Sequence, residues 1–190
     1  MKILITGAGG FIGSYAVETF AQNGWDVIAV SRSMAKTKND VRIVERSIND
    51  DDDQLWDELL SGVNVVLHLA GIAHSPRTEQ ERYYRVNVVG SSRLAAACVR
   101  AGVSRLIFVS SIAVYGTSAI DRCITDLTEP SPNTPYGKSK LEAEREIVRI
   151  STGTSMDWVI IRPPLVYGPG APGNYRRLVN IIKSGVPLPL

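Results

Sequence analysis

Side chains that hold metals are scarce: the 190 residues include two cysteines and two histidines. Cys98 and Cys123 show neither the paired spacing of a zinc site nor the density of a disulfide framework, and His68 and His74 lack ligating partners at suitable intervals. No metal is expected, and the sparse cysteine points to a reducing compartment, the cytoplasm. An excess of either charge is also missing. Lys and Arg total 21 against 19 Asp and Glu, a net charge of +2, which offers no basic field for nucleic acid and no acidic tail. Long apolar runs are absent as well. The opening Met1-Lys2-Ile3-Leu4-Ile5 is too short for a signal peptide and far too short to span a bilayer, so no membrane partner is expected. There is no internal repeat and no low-complexity tract.

What is present suits one compact domain, since 44% of the residues are hydrophobic and the length supports a substantial core. Short apolar runs rich in β-branched residues alternate with helical stretches, the pattern of βαβ units around a buried parallel sheet. Strands are expected over 2–6, 26–31, 41–45, 63–70, 105–110 and 158–162, and helices over 11–23, 53–60, 79–101, 136–151 and 175–183. The fold class is α/β, a doubly wound and mostly parallel sheet with helices on both faces. Gly24, Gly62, Gly102, Gly153 and Gly185 each follow a helix, where a C-terminal cap needs positive φ. The acidic run at 50–53 stands at a helix start, which suits dipole compensation and a solvated surface. The apolar ending Val186-Pro187-Leu188-Pro189-Leu190 reads as a cut rather than a natural terminus.

The first strand runs into Thr6-Gly7-Ala8-Gly9-Gly10-Phe11-Ile12-Gly13 and then an amphipathic helix. Glycines at Gly7, Gly10 and Gly13 between a strand and a helix suit a dinucleotide: the first makes a tight turn, the second admits a pyrophosphate, the third lets helix and strand touch. The helix N-terminus adds N–H donors and positive dipole. At the end of the second strand, where an acid would bond the ribose hydroxyls of NAD, stand Ser31 and Arg32. A hydroxyl with a guanidinium suits a 2′-phosphate, so the cofactor is NAD(P) with NADP(H) favoured.

At the carboxyl end of the fifth strand the chain reads Phe108-Val109-Ser110-Ser111-Ile112-Ala113, the sheet edge where ligands bind. Tyr136 and Lys140 then open a long helix at i and i+4, so their side chains share a face. A lysine ammonium beside the phenol is expected to lower its pKa and let Tyr136 exchange protons near neutral pH, with Ser111 bonding the reacting oxygen. His68 lies in a buried strand as a satisfied core histidine, whereas His74, in the loop after it, is placed to approach cofactor or substrate.

These segments together resemble the extended short-chain dehydrogenase/reductases, and within them the nucleotide-sugar epimerases, dehydratases and reductases. The resemblance rests on residues 6–13, His68-Leu69-Ala70-Gly71, Val86-Asn87-Val88-Val89-Gly90, Ser110-Ser111, Tyr136 to Lys140, and Arg162-Pro163-Pro164-Leu165-Val166-Tyr167-Gly168-Pro169-Gly170. It implies Ser111, Tyr136 and Lys140 as catalytic residues, with Lys140 also bonding the nicotinamide ribose. The cofactor would further meet Phe11, Ile12, Ile48, Val109, Leu69, Ala70 and Gly71, and the Pro163 to Val166 segment on the carboxamide side. Substrate would meet Ser111, Ile112, Ala113, Tyr136 and Asn174, and Asn87 would steady the central helix near the site. It also implies a dinucleotide-binding domain over 1–170 and, over 171–190, the beginning of a substrate-binding lobe whose remainder is missing.

The expected activity is NAD(P)-dependent hydride transfer at C4 of a nucleotide sugar, a UDP-sugar above all, by a 4-epimerase or a 4-keto-sugar reductase; a homodimer is compatible with it. A dehydratase is disfavoured because Ile112-Ala113 stands where such relatives carry an acidic pair. The alternative from another class is a dinucleotide-binding or partner-binding module without turnover.

Overall fold

The computed structural model describes residues 1–33, 41–50, 52–73, 78–116, 123–125 and 127–184. His74, Gly185 and the ending at 186–190 lie outside the described residues. Six strands, β1 (Lys2–Thr6), β2 (Asp26–Ser31), β3 (Arg42–Glu45), β4 (Val65–His68), β5 (Arg105–Val109) and β6 (Asp157–Ile161), form one sheet in the order β3-β2-β1-β4-β5-β6. Every pairing is parallel. The chain order reverses between β1 and β4, so a crevice opens at their carboxyl ends.

Alternation along the strands divides the core between two faces. Leu4, Ile28, Val66, Leu106 and Phe108 point to one face, where α2 (Asp53–Leu60), α4 (Gly90–Arg100) and α5 (Pro135–Ser151) contribute Trp56, Leu94 and Ile147. Ile3, Ile5, Val27 and Ala29 point to the other and meet Val17 of α1 (Phe11–Gln22). The helix expected over 79–101 is instead three joined segments: α3 (Gln80–Tyr83), a π-helical stretch (Tyr84–Val89) and α4. Such widened turns recur where a helix must aim a side chain. The last helix, α6 (Asn174–Lys183), carries exposed Leu178, Ile181 and Ile182. β6 is an edge strand on which Val159 and Ile161 are exposed while Ile160 packs on the core.

The four helix-terminating glycines within the described residues, Gly24, Gly62, Gly102 and Gly153, all have positive φ, as expected. Asp52 caps α2 by accepting from the Leu55 N–H at 3.0 Å, which accounts for one member of the acidic run. No helix among the described residues is long and apolar enough to cross a membrane.

The division of the core predicts where stability resides. Leu106 is fully buried in a central strand, whereas Leu127 is 87% exposed. Leu106→Ala should cost about 3 kcal/mol in urea unfolding, and Leu127→Ala less than about 0.5 kcal/mol.

Candidate active site

The glycine loop joins β1 to α1 through backbone contacts. Gly7 has φ +68°, and a Cβ there would lie 2.7 Å from the Ala70 nitrogen. A Cβ on Gly13 would lie 2.2 Å from the Gly7 oxygen, so the first turn of α1 rests directly on the loop. At Gly10 the nearest atom to a Cβ is the Gly7 oxygen at 3.1 Å, and this face borders the crevice. No side chain caps α1 and its first turn holds no acid. Its positive end therefore faces the crevice uncompensated, a fit for phosphate.

The crevice is a cavity of about 360 Å³. Gly7, Gly10, Leu69, Ala70 and Gly71 line one side, and Ser31, Arg32 and Ile48 the other. Gly9 was not singled out by spacing, yet a Cβ there would meet the Ser33 oxygen at 2.5 Å and the Ser31 hydroxyl at 2.7 Å, because the β2 loop lies on the glycine loop. Ser31 donates to the Ser33 carbonyl at 3.0 Å, so its hydroxyl proton is already engaged. Two lining residues escaped the sequence reading: Arg82 and Arg85 from the α3 and π segments. With Arg32 they have no hydrogen-bond or ion-pair partner among the described residues. Arg46, 5% exposed, also lines the cavity, stacked 4.7 Å from the Trp56 ring and donating to the Asp52 carbonyl at 2.6 Å. Among the described residues no carboxylate lines the cavity.

Beyond β5, the Ser111 hydroxyl accepts from the Ala113 N–H at 3.1 Å and so caps a 3₁₀ turn over Ile112–Tyr115. Thr134 caps α5 by accepting from the Gly137 N–H at 3.0 Å, with Pro135 at the first helical position. Gly137 is the unforeseen member here. A Cβ on it would lie 2.4 Å from the Ala113 oxygen, so only glycine lets α5 approach that turn. The approach brings the Tyr136 phenol beside the Ser111 hydroxyl, near enough to act on its pKa, and the Tyr83 ring lies at 5.9 Å.

The protonation states differ from expectation. Burial pushes the Tyr136 pKa above its ordinary value, against the pull of the Ser111 hydroxyl. The lysine does not offset this because its Nζ is turned to the Val109 carbonyl at 2.8 Å and sits 4.0 Å over the Phe108 ring. Lys140 is itself lowered to about 7 by burial, while Glu144 pulls it upward. Glu144, 3% exposed, is committed elsewhere: it accepts the Ser110 hydroxyl and a bidentate bond from Arg162, with Nη2 at 2.6 Å. Arg162 also donates to the Tyr115 hydroxyl at 2.6 Å. The Lys140-to-Glu144 interval of four was the available sign that these carboxylate contacts share the Tyr136 helix.

The remaining predicted residues surround this centre without all entering the crevice. The Ile112 N–H donates to the Pro163 carbonyl at 3.0 Å, tying the 163–170 loop to the 3₁₀ turn. Phe11 packs edge-on to Tyr15, whose hydroxyl reaches the Pro169 carbonyl at 3.0 Å, so the same loop is held to α1. Ile12, Ile112 and Val166 are more than one-third exposed. Asn87 bonds both backbone groups of Ile72. Asn174 is the first residue of α6, with Gly173 at the cap position. Among the described residues no cluster of His, Cys, Asp and Glu could hold a metal.

Lys140 gives the pH dependence a sign. Its pKa is 10.5 unfolded and about 7 folded, so between these values the unfolded chain binds more protons and stability rises with pH. Cys98 and Tyr136, both raised by burial, act in the opposite sense only above about pH 9. Urea midpoints at pH 7 and 9 should therefore increase, and Lys140→Met should be more stable at pH 7 and lose the increase. The same slope in both proteins would contradict the buried placement of Lys140.

The chain is 34% identical over 194 residues to a UDP-glucose 4-epimerase of Vibrio cholerae, covering 99% of this chain and 58% of the relative. It is 28% identical to a 2-alkyl-3-oxoalkanoate reductase of Stenotrophomonas maltophilia, covering 97% and 57%. Among solved structures it superposes on MoeE5 in complex with UDP-glucose and NAD with a TM-score of 0.87 at 32% identity, covering 99% of this chain and 63% of that one. The chain thus spans little more than half the length of the relatives it matches. The family model of the NAD dependent epimerase/dehydratases matches residues 3–186, over a six-stranded parallel sheet with a glycine loop at its crevice and a serine beside a tyrosine at its edge, and the chain belongs to that family.

Proposed function

We propose that this chain is the cofactor-binding part of an NAD(P)-dependent enzyme that acts at C4 of a UDP-sugar by hydride transfer. The observation that carries the reading is the placement of the Tyr136 phenol beside Ser111 at the sheet edge, with Lys140 one helical turn away. The names of the relatives, 4-epimerases among them, supply the substrate class. Residues from 171 onward are assigned to the substrate-binding side, with Asn174 as a contact.

When bound, the dinucleotide supplies or takes the hydride. Gly10 and the free end of α1 hold its phosphates, and Ser31, Ile48, Leu69, Ala70 and Gly71 border its adenosine end. Ser111 orients the substrate oxygen and Tyr136 moves the proton at that oxygen. Because burial keeps Tyr136 a neutral phenol, it is poised to give a proton to a carbonyl rather than to take one from an alcohol. This favours reduction of a 4-keto sugar, with epimerisation, which needs both proton directions, as the second reading.

The cofactor is assigned as NADP(H). Three arginines, Arg32, Arg82 and Arg85, whose side chains have no partner among the described residues, face a cavity that no described carboxylate lines, more positive charge than a pyrophosphate alone would neutralise. The solved relatives contain NAD, and a preference for NADP(H) would set this chain apart from them. Fluorescence titration should show NADPH binding more tightly than NADH, and Arg32→Ala should weaken NADPH about tenfold, the scale of one charge-assisted bond, with little change for NADH. Tyr136→Phe should lower UDP-sugar turnover about 100-fold or more with cofactor affinity nearly unchanged. Equal affinities would overturn the NADP(H) assignment, and near-normal turnover of Tyr136→Phe would overturn the catalytic one.

A further inference from the structure

Behind the crevice, where Thr6 of β1 pairs in register with His68 of β4, lies a set of polar side chains sealed from solvent. Thr6, His68, Asn87 and Ser91 are each no more than 1% exposed. Their hydrogen bonds form a chain: Ala70 N–H to Thr6 Oγ1 at 3.2 Å, Thr6 Oγ1 to His68 Nδ1 at 2.6 Å, His68 Nε2 to Ser91 Oγ at 2.8 Å, and Ser91 Oγ to the Asn87 carbonyl at 2.6 Å.

For a neutral imidazole only one arrangement of protons satisfies all four bonds. The Asn87 carbonyl cannot donate, so the Ser91 proton goes to it and Ser91 must accept from His68 Nε2–H. Nδ1 is then the acceptor, Thr6 donates to it, and Thr6 is left to accept from Ala70. A second set of bonds closes the circle. Asn87 Oδ1 accepts the Ile72 N–H at 2.8 Å, and Nδ2 donates to the Ile72 carbonyl at 3.2 Å and to Ser139 Oγ at 3.0 Å. Ser139 in turn donates to the Tyr136 carbonyl at 2.8 Å. The loop that borders the crevice therefore reaches Asn87 by two routes, directly from Ile72 and from Ala70 through Thr6, the imidazole and Ser91, and Asn87 passes on through Ser139 to the turn that carries Tyr136. The surroundings hold that ring neutral: burial, with the Lys140 charge acting in the same direction, lowers His68 to about 3, and its other neighbour is the Phe108 ring at 5.3 Å.

We propose that His68 is a positioning residue that couples the dinucleotide crevice to the Tyr136 turn, by holding the 70–72 loop and Asn87 in one relative position through Thr6 and Ser91. This rests on the reading of the crevice as a dinucleotide site. Thr6 and Ser91 are the two ends of the imidazole route, and loss of either interrupts that same route, a signature that local roles lack.

NADPH affinity measured for the unsubstituted chain, Thr6→Val, Ser91→Ala and the double variant tests it. Each single change interrupts the same chain and should weaken binding about tenfold. The double variant should be no weaker than the worse single, and Thr6→Ser should restore affinity; factors that multiply, as for independent sites, would overturn the coupling. The unsubstituted protein supplies a check that needs no variant: the ring nitrogens of His68 should report protonated Nε2 and bare Nδ1, unchanged between about pH 5 and 8, and the opposite tautomer or a titration would overturn it. If the unsubstituted chain binds no dinucleotide, the crevice reading fails by itself. Hydrogen exchange of the Ile72 amide then decides the coupling, faster in Ser91→Ala and Thr6→Val if it holds and unchanged in both if it does not.

Discussion

Backbone touches backbone where the glycine loop meets the end of β4, and that contact sets the geometry of everything around the crevice. A Cβ on Gly7 would collide with the Leu69–Ala70 peptide, and a Cβ on Gly13 with the Gly7 carbonyl. With no side chains between them, β1, the loop and the first turn of α1 form a single rigid step beside β4. The crevice lies where the strand order reverses, which is where an open parallel sheet leaves room for a ligand. The second close approach, of Gly137 to the Ala113 carbonyl, works likewise at the next strand end. It brings the Tyr136 turn to Ser111 at the cost of any side chain at position 137.

The interior of the site is unusually polar for a region so deeply buried, and its charges are unevenly partnered. On α5, Lys140 and Glu144 lie one turn apart. Glu144 is saturated by Arg162 and Ser110, an arrangement that adds specificity of position more than net stability. Lys140 has a carbonyl and an aromatic face instead of an anion, and burial without a carboxylate partner is what lowers it. The phenol of Tyr136 is raised for the same reason. Both groups thus rest nearer to neutrality than isolated side chains do, and Glu144 is held in a place from which it influences Lys140 without pairing to it.

Much of this was legible in the sequence because it is local. Five of the six strands begin and end within one residue of the places that apolar runs and turn residues suggested, and β4, read as 63–70, is two residues shorter at each end as Val65–His68. The order of glycine loop, serine pair and Tyr-x-x-x-Lys anticipated which segments share the sheet edge. What could not be read is long-range. The widened turn at Tyr84–Val89 ends just before Gly90 inside a continuous helical pattern, and within it Asn87 bonds Ile72 across the sheet edge. Arg82 and Arg85 belong to no motif in the sequence, and only the fold brings them to the crevice. The direction of the Tyr136 shift was missed because the Tyr136–Lys140 interval fixes a shared helix face but not the carbonyl that Lys140 reaches.

The central claim is that a dinucleotide lies along the carboxyl edge between the glycine loop and the Ser111–Tyr136 pair. Backbone amide chemical shifts of the labelled chain, recorded as NADPH is added, test it most directly. The account predicts that the largest changes fall at Gly9 to Gly13, at Ala70 to Ile72 and around Ser111, with β6 and α6 little affected. Changes confined to β6 and α6, or none at saturating NADPH, would contradict it.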